Sequence, residues 1–130
     1  MAAITKGIAD RVKKYLDKAL RINSNNIIAN LSKGIWHAEI INQAGKTIAN
    51  TVYGAKVSHA INYFIAVENH NNFKQIGVLY ELAYGYSLLG EALYLEKAKV
   101  LINSLLKKDA FSEMDKIYKK KAILLLELLP

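Results

Sequence analysis

The side chains best suited to acid–base or metal chemistry at neutral pH are three histidines, His37, His59 and His70. A metal site on one helix would place a second histidine or a carboxylate four residues from one of them, and none has such a neighbour. Four carboxylates in the middle of the chain are also isolated along predicted helices: Glu39, Glu81, Glu91 and Glu96. We therefore predict no metal site.

Other catalytic groups are equally scarce. The chain has no cysteine, which excludes thiolate catalysis, disulfides and cysteine-based zinc sites. Gly85 and Gly90 belong to a predicted helix and its end, so they do not form a phosphate-binding loop. These observations predict a protein that is not an enzyme, with no catalytic residue and no cofactor.

The composition favours helix almost throughout. The 130 residues include one proline, Pro130, at the last position, and only seven glycines. This length predicts a single domain, residues 1–130. Apolar spacing predicts six helices, at about 4–22, 27–43, 46–69, 73–89, 92–108 and from 112 to the end. Six helices with short links indicate an all-α fold of three stacked antiparallel α-hairpins, with an irregular helical bundle as the alternative.

The helix ends carry recognisable signals, and some of them recur. Asparagine and serine at 23–26 end the first helix and cap the second, and a second asparagine-rich break follows at 68–72. Gly90 is a typical C-terminal glycine, and Ser112 with Asp115 three residues later marks a helix start. Ala19, Ala60 and Ala98 are separated by 41 and 38 residues, a period found in solenoids of helix pairs.

The segment LYELAYGYSLLG, residues 79–90, carries a large, large, small, large series in Leu79, Leu82, Ala83 and Tyr86. It resembles the first helix of a tetratricopeptide repeat, and Gly34 matches the small residue of an earlier first helix. KAL at 18–20 and AINYF at 60–64 are similar to the second helix of that repeat. The sequence also departs from the family. The period of 41 and 38 residues differs from the family's 34, Ser24 replaces the usual proline, and the link between the second and third predicted helices is longer than in the family.

In the tetratricopeptide family, the first helices line a concave groove that receives a partner peptide or helix. The resemblance therefore implies a protein–protein interaction module, such as an adaptor, scaffold or assembly subunit. Tyr80 and Tyr84, one turn apart, would form an aromatic ledge in the groove; the alternative is that they fill space between helices. The predicted groove residues are Ile28, Leu31, Ile35, Tyr80, Tyr84, Ser87 and Leu88.

Leucines occupy almost every side of the last helix near its C-terminal end. An exposed apolar surface of this kind favours burial against another chain. We predict that it contacts a second copy or a partner through Leu124, Leu125, Leu128 and Leu129. The alternative is that these leucines fold back onto the fifth helix.

The net charge of +7 is concentrated at the two ends of the chain. An alternative function is therefore binding of nucleic acid or an anionic surface through the first and last helices, with a basic patch at Lys116, Lys119, Lys120 and Lys121. Only two of the 18 basic residues are arginines, the better phosphate ligands, which favours solvated lysine faces instead.

The sequence also bears on location. No run approaches the roughly 18 apolar residues that a membrane span needs. Charged residues interrupt the first 16 positions, so they do not resemble a signal peptide. We predict a cytoplasmic protein.

Overall fold

The computed structural model describes residues 5–130. Within this range the chain forms seven α-helices and one π-helix and no strand, which confirms the all-α class. The helices are α1 (Lys6–Ile22), α2 (Ile27–Ala44), α3 (Lys46–Ile48), the π-helix (Ala49–Tyr53), α4 (Val57–Glu68), α5 (Ile76–Leu89), α6 (Ala92–Leu106) and α7 (Glu113–Leu128). Ile4, the predicted start of the first helix, lies outside the described residues. None of the described helices is long and apolar enough to cross a bilayer.

Side-chain caps begin several of these helices. The Asn26 side chain accepts the amide hydrogen of Ala29 at 3.0 Å, and Ser112 Oγ accepts that of Asp115 at 3.0 Å. Asn30 Nδ2 donates to the carbonyl oxygens of Ser24 and Asn26, which fixes the turn between α1 and α2. Gly90 ends α5 with a φ of +75°, a backbone conformation that glycine adopts without strain.

The prediction of one continuous third helix over 46–69 is wrong, and so is the total of six helices. A short α-helical turn runs into the π-helix, the chain leaves helical geometry at Gly54, and α4 begins at Val57. Gly54 has a φ of +71°, and its amide donates to the carbonyl oxygens of Ala49 and Asn50. Apolar spacing continues through this segment, so periodicity alone does not reveal the break.

The chain divides into two compact units. Unit 1 ends at His70, and unit 2 spans Asn71–Pro130. In unit 1, α2 contacts both α1 and α4. Trp36 Nε1 on α2 donates to the carbonyl oxygen of Ala9 on α1 at 3.0 Å.

The contact of α2 with α4 depends on Gly34. A Cβ at this position would overlap the ring of the fully buried Phe64 and lie 3.3 Å from the carbonyl oxygen of Ala60. The absence of a side chain at Gly34 therefore lets the two helices approach closely. A buried phenylalanine stabilises the fold by roughly 1.5–3 kcal/mol relative to an exposed one.

In unit 2, α5 packs on α6, and α7 packs on both of them. The residues of the large, large, small, large series on α5 all lie in the core: Leu79, Leu82, Ala83 and Tyr86 are at most 2% exposed. Ile102 and Leu105 of α6 are fully buried as well. One face of α5 is therefore committed to the interior, which leaves Tyr80 and Tyr84 half-buried at its side.

Candidate functional site

An aromatic surface lies where α5 and α7 of unit 2 meet. Tyr80 and Tyr84, one turn apart on α5, stack with ring centroids 6.4 Å apart and planes 13° apart. Tyr118 of α7 lies against Tyr80 at 5.6 Å. Lys121 Nζ stands 5.9 Å from the Tyr80 ring centre and 5.7 Å from that of Tyr118. We call these four residues the tyrosine ledge.

Gly77 brings the third ring of the ledge into place. A Cβ at Gly77 would lie 2.9 Å from Cε2 of Tyr118, closer than side chains normally approach. The Tyr118 ring therefore rests on the bare backbone of α5, one turn before Tyr80. Any larger residue at position 77 would displace the ring.

Burial sets the electrostatics of the ledge. It raises the pKa of the Glu81 carboxyl, an effect that the nearby Lys121 ammonium opposes. Burial also raises the pKa of the Tyr80 hydroxyl, and Glu81 and Tyr118 add to this shift. The Tyr80 hydroxyl therefore remains protonated at neutral pH and can donate a hydrogen bond.

A line of exposed side chains runs along α7. Met114, Ile117, Lys121, Leu124 and Leu128 are spaced by three, four, three and four residues, and all five are exposed. Their apolar members are 46–80% exposed. This spacing places them on one side of the helix, as in the seam of a coiled coil. We call these five residues the α7 seam; Lys121 belongs to both the seam and the ledge.

The residues predicted to form an oligomer interface divide between two environments. Leu124 and Leu128 are exposed on the seam, whereas Leu125 and Leu129 are half-buried. Only part of the leucine-rich surface is therefore available to another chain.

The lysines of the predicted basic patch likewise differ in exposure and in pairing. Lys116 pairs with Glu113 at 3.0 Å, Lys119 is half-buried, and Lys120 and Lys121 are exposed. One lysine is thus partly neutralised within its own helix, and Lys121 lies over two tyrosine rings.

The predicted groove residues fall in both units. On α2, Ile28 is exposed, Ile35 is half-buried, and Leu31 is buried in the core. On α5, Tyr80, Tyr84, Ser87 and Leu88 are half-buried. Ser87 Oγ donates to the carbonyl oxygen of Tyr84 at 2.6 Å, so its hydroxyl is already used within the helix.

Unit 1 contains a polar pocket of about 380 Å³ that the sequence analysis missed. His37 on α2 and His59 on α4 meet there with ring centroids 5.3 Å apart, and Tyr63 stacks on His37 at 5.8 Å. The rest of the lining comes from α1, α2 and the end of the π-helix: Lys6, Asp10, Lys13, Lys33, Val52, Tyr53 and Gly54. We call this the His37 pocket.

A sequence signal for this pocket does exist. Lys33 and His37 are four residues apart on α2, and His59 and Tyr63 are four residues apart on α4. Each pair therefore occupies one face of its helix. Only the packing of α2 on α4 shows that the two faces meet.

Lys33 is almost completely buried, with 4% of its side chain exposed, and forms an ion pair with Asp17. Asp17 also binds Lys13, at 3.3 Å, so two ammonium groups share one carboxylate. Burial, together with the charge of Lys13, lowers the pKa of Lys33 to about 8. The charged lysine therefore lies in a site that disfavours its charge.

His37 is 1% exposed, and its Nδ1 accepts the amide hydrogen of Lys56 at 3.1 Å. This hydrogen bond assigns the proton of the neutral ring to Nε2. Burial, followed by the charges of His59, Lys33 and Lys13, lowers the pKa of His37 to about 3. At neutral pH His37 is therefore a neutral ring in a positive environment.

The described part of the chain contains no group of three or more histidine, aspartate or glutamate side chains able to hold a metal ion. Comparison with models of protein families, with curated proteins and with solved structures finds no match to this chain.

Proposed function

We propose that the protein is a non-enzymatic protein-interaction module that binds an amphipathic helix of a partner on unit 2. The binding surface is the α7 seam together with the tyrosine ledge. The observation that carries the proposal is the three-four spacing of exposed apolar residues along α7.

The spacing of the seam favours a helical partner. Helices that dock on other helices present anchors at intervals of three and four residues, and the seam repeats this interval over four turns. Leu124 and Leu128 are 61% and 80% exposed, and exposed apolar residues that form a continuous line are typical of interaction surfaces.

The tyrosine ledge extends the seam sideways onto α5. Tyrosine is enriched in the central contacts of interfaces because it buries a large area with few rotatable bonds. Since Lys121 belongs to both surfaces, the ledge and the seam are continuous. The tetratricopeptide resemblance supports the same site, because α5 matches a first helix, the kind that lines the groove in that family.

Lys121 indicates the charge of the partner. It occupies the middle of an otherwise apolar seam, where an ammonium group costs free energy once water is excluded, a cost that the nearby Glu81 carboxyl offsets only in part. An acidic side chain at the facing position of the partner helix would compensate it. Lys120 is exposed beside the seam and adds positive charge.

A display library of amphipathic helical peptides, selected against the full chain, tests the proposal. We expect enriched peptides to carry apolar residues at the three-four spacing with an acidic residue among them. Binding should fall at least about tenfold with Leu124→Glu and with Tyr80→Ala, since truncated central contacts cost more than about 1.4 kcal/mol. The matched control is Val100→Glu on α6, which alters a similarly exposed apolar residue that belongs to neither the seam nor the ledge.

Two results would contradict the proposal. One is a selection that yields no helical peptide above background. The other is a set of peptides that Leu124→Glu and Tyr80→Ala bind as tightly as the wild type does.

The alternative function, binding of nucleic acid or an anionic surface through the first and last helices, has weaker support. On α1, Lys6 pairs with Asp10 at 2.6 Å, and Lys13 pairs with Asp17. Salt distinguishes the two functions. Binding through phosphate contacts weakens steeply as salt rises, whereas binding at the seam is expected to tolerate salt.

A further inference from the structure

The His37 pocket gathers more positive than negative charge. Lys6, Lys13 and Lys33 are three ammonium groups, and the two carboxylates that pair with them belong to Asp10 and Asp17. Lys13 and Lys33 share Asp17, so one positive charge has no carboxylate of its own. Two imidazole rings stand beside these charges.

The backbone adds to this potential. His59 lies in the first turn of α4, and Lys56 at the start of that helix makes no side-chain cap. The uncapped amides of a helix N-terminus carry partial positive charge. Lysines and imidazole rings therefore converge on one pocket from three helices, and His59 reaches it from the positively polarised first turn of α4.

From this convergence we infer that the His37 pocket binds the phosphate group of a small soluble molecule, held by Lys13, Lys33 and the imidazole rings of His37 and His59. The site is independent of the protein-binding surface proposed for unit 2.

A phosphate group fits the donors and the space. Ammonium groups and imidazole N–H groups are donors, and an ionised phosphate group offers mainly acceptor oxygens. His37 contributes an N–H at Nε2, because its Nδ1 accepts the amide hydrogen of Lys56. A pocket of about 380 Å³ holds a phosphate and several further heavy atoms, since a water molecule occupies roughly 30 Å³ in the liquid.

A cation is a poor occupant of the same pocket. Lys13 and Lys33 would repel it, and the carboxylates of Asp10 and Asp17 are already engaged by lysines. The aromatic rings of Tyr53 and Tyr63 line the remaining wall, where the organic part of a phosphorylated molecule can pack.

The test is titration of the full chain with inorganic phosphate at pH 7.5 in low-salt buffer, followed by NMR of the histidine ring protons. We expect saturable shifts of the His37 and His59 resonances with no change at His70, which lies outside the pocket. Glycerol 3-phosphate should give the same shifts, and acetate, with a single negative charge, should bind more weakly.

Substitutions locate the site. Lys13→Gln and Lys33→Met should each weaken phosphate binding by roughly fivefold or more, because each removes a charge-assisted contact. The matched control is Lys18→Gln, which removes one positive charge from α1 outside the pocket and should change binding by less than about twofold. Lys13 is a surface residue with 38% of its side chain exposed, so Lys13→Gln is expected to fold even where Lys33→Met does not.

Several outcomes would overturn the inference. These are shifts that do not saturate, equal shifts at His70, or equal weakening by Lys18→Gln and Lys13→Gln. Sedimentation with phosphatidate vesicles, beyond that seen with neutral phosphatidylcholine vesicles, would assign the pocket to a lipid headgroup instead of a soluble ligand if Lys13→Gln reduces it and Lys18→Gln does not.

Discussion

Acid is expected to destabilise unit 1 through His37. The ordinary histidine pKa is 6.5, and in the folded protein the pKa of His37 is lowered to about 3, chiefly by burial. Between these values the unfolded chain binds a proton at this residue and the folded chain does not. The free energy of unfolding therefore falls as the pH is lowered from 6.5 towards 3.

The size of the effect follows from the two pKa values. One pKa unit corresponds to about 1.4 kcal/mol, so His37 alone should remove about 2.7 kcal/mol of unfolding free energy between neutral pH and pH 4.5. Because a domain of this size is stable by roughly 5–15 kcal/mol, this loss is a substantial fraction of the total.

Urea denaturation at several pH values measures the effect, with the fluorescence of Trp36 as the probe. Trp36 is the only tryptophan, it is buried in unit 1, and its ring lies 4.8 Å from that of His37. The comparison variant is His37→Asn, which does not titrate and keeps an acceptor for the Lys56 amide. It should be less stable than the wild type at neutral pH because the ring volume is lost.

The difference in stability between wild type and His37→Asn should shrink by about 2.7 kcal/mol from neutral pH to pH 4.5. Carboxylates titrate in both proteins, so their contribution largely cancels in the difference. A difference that stays constant to within about 0.5 kcal/mol over this range would refute the reasoning.

Three further predictions concern packing and assembly. Gly34→Ala should destabilise the protein by about 1–2 kcal/mol in urea denaturation because its methyl group meets the Phe64 ring. Gly7→Ala, with open space around the added methyl group, should be neutral or stabilising by up to about 1 kcal/mol. Equal effects of the two substitutions would contradict the close contact between Gly34 and Phe64. Gly77→Ala should shift the ring resonances of Tyr118 in NMR spectra, and unchanged resonances would show that the ring does not rest on α5. If the α7 seam also mediates self-association, light scattering should show a smaller mass for Leu128→Glu than for the wild type. A wild type that is already monomeric would contradict self-association through the seam.

Much of the helical layout could be predicted because its signals are local. Gly90 and the Ser112–Asp115 pair mark helix ends through their own backbone and side chains, so a few neighbouring residues contain the information. The π-helix is different. Residues 46–56 have helical spacing of apolar residues, and the extra residue in the turn appears only when the hydrogen bonds of Gly54 are known.

The sites depended on non-local contacts and were less accessible from the sequence. Tyr80 and Tyr84 could be paired because they lie one turn apart on one helix. The third ring of the ledge, Tyr118, comes from a helix 38 residues further on and needs the bare backbone at Gly77. His37 and His59 lie 22 residues apart on separate helices, a spacing that matches no local motif.

The π-helix also has an evolutionary consequence. Such a turn corresponds to one residue inserted into an ordinary α-helix, and each residue of an α-helix turns the chain by about 100°. Loss of a single codon within 49–52 is expected to restore the regular turn and to rotate Tyr53 away from the wall it forms beside Gly54. The length of this one turn therefore determines whether Tyr53 stands in the lining of the His37 pocket.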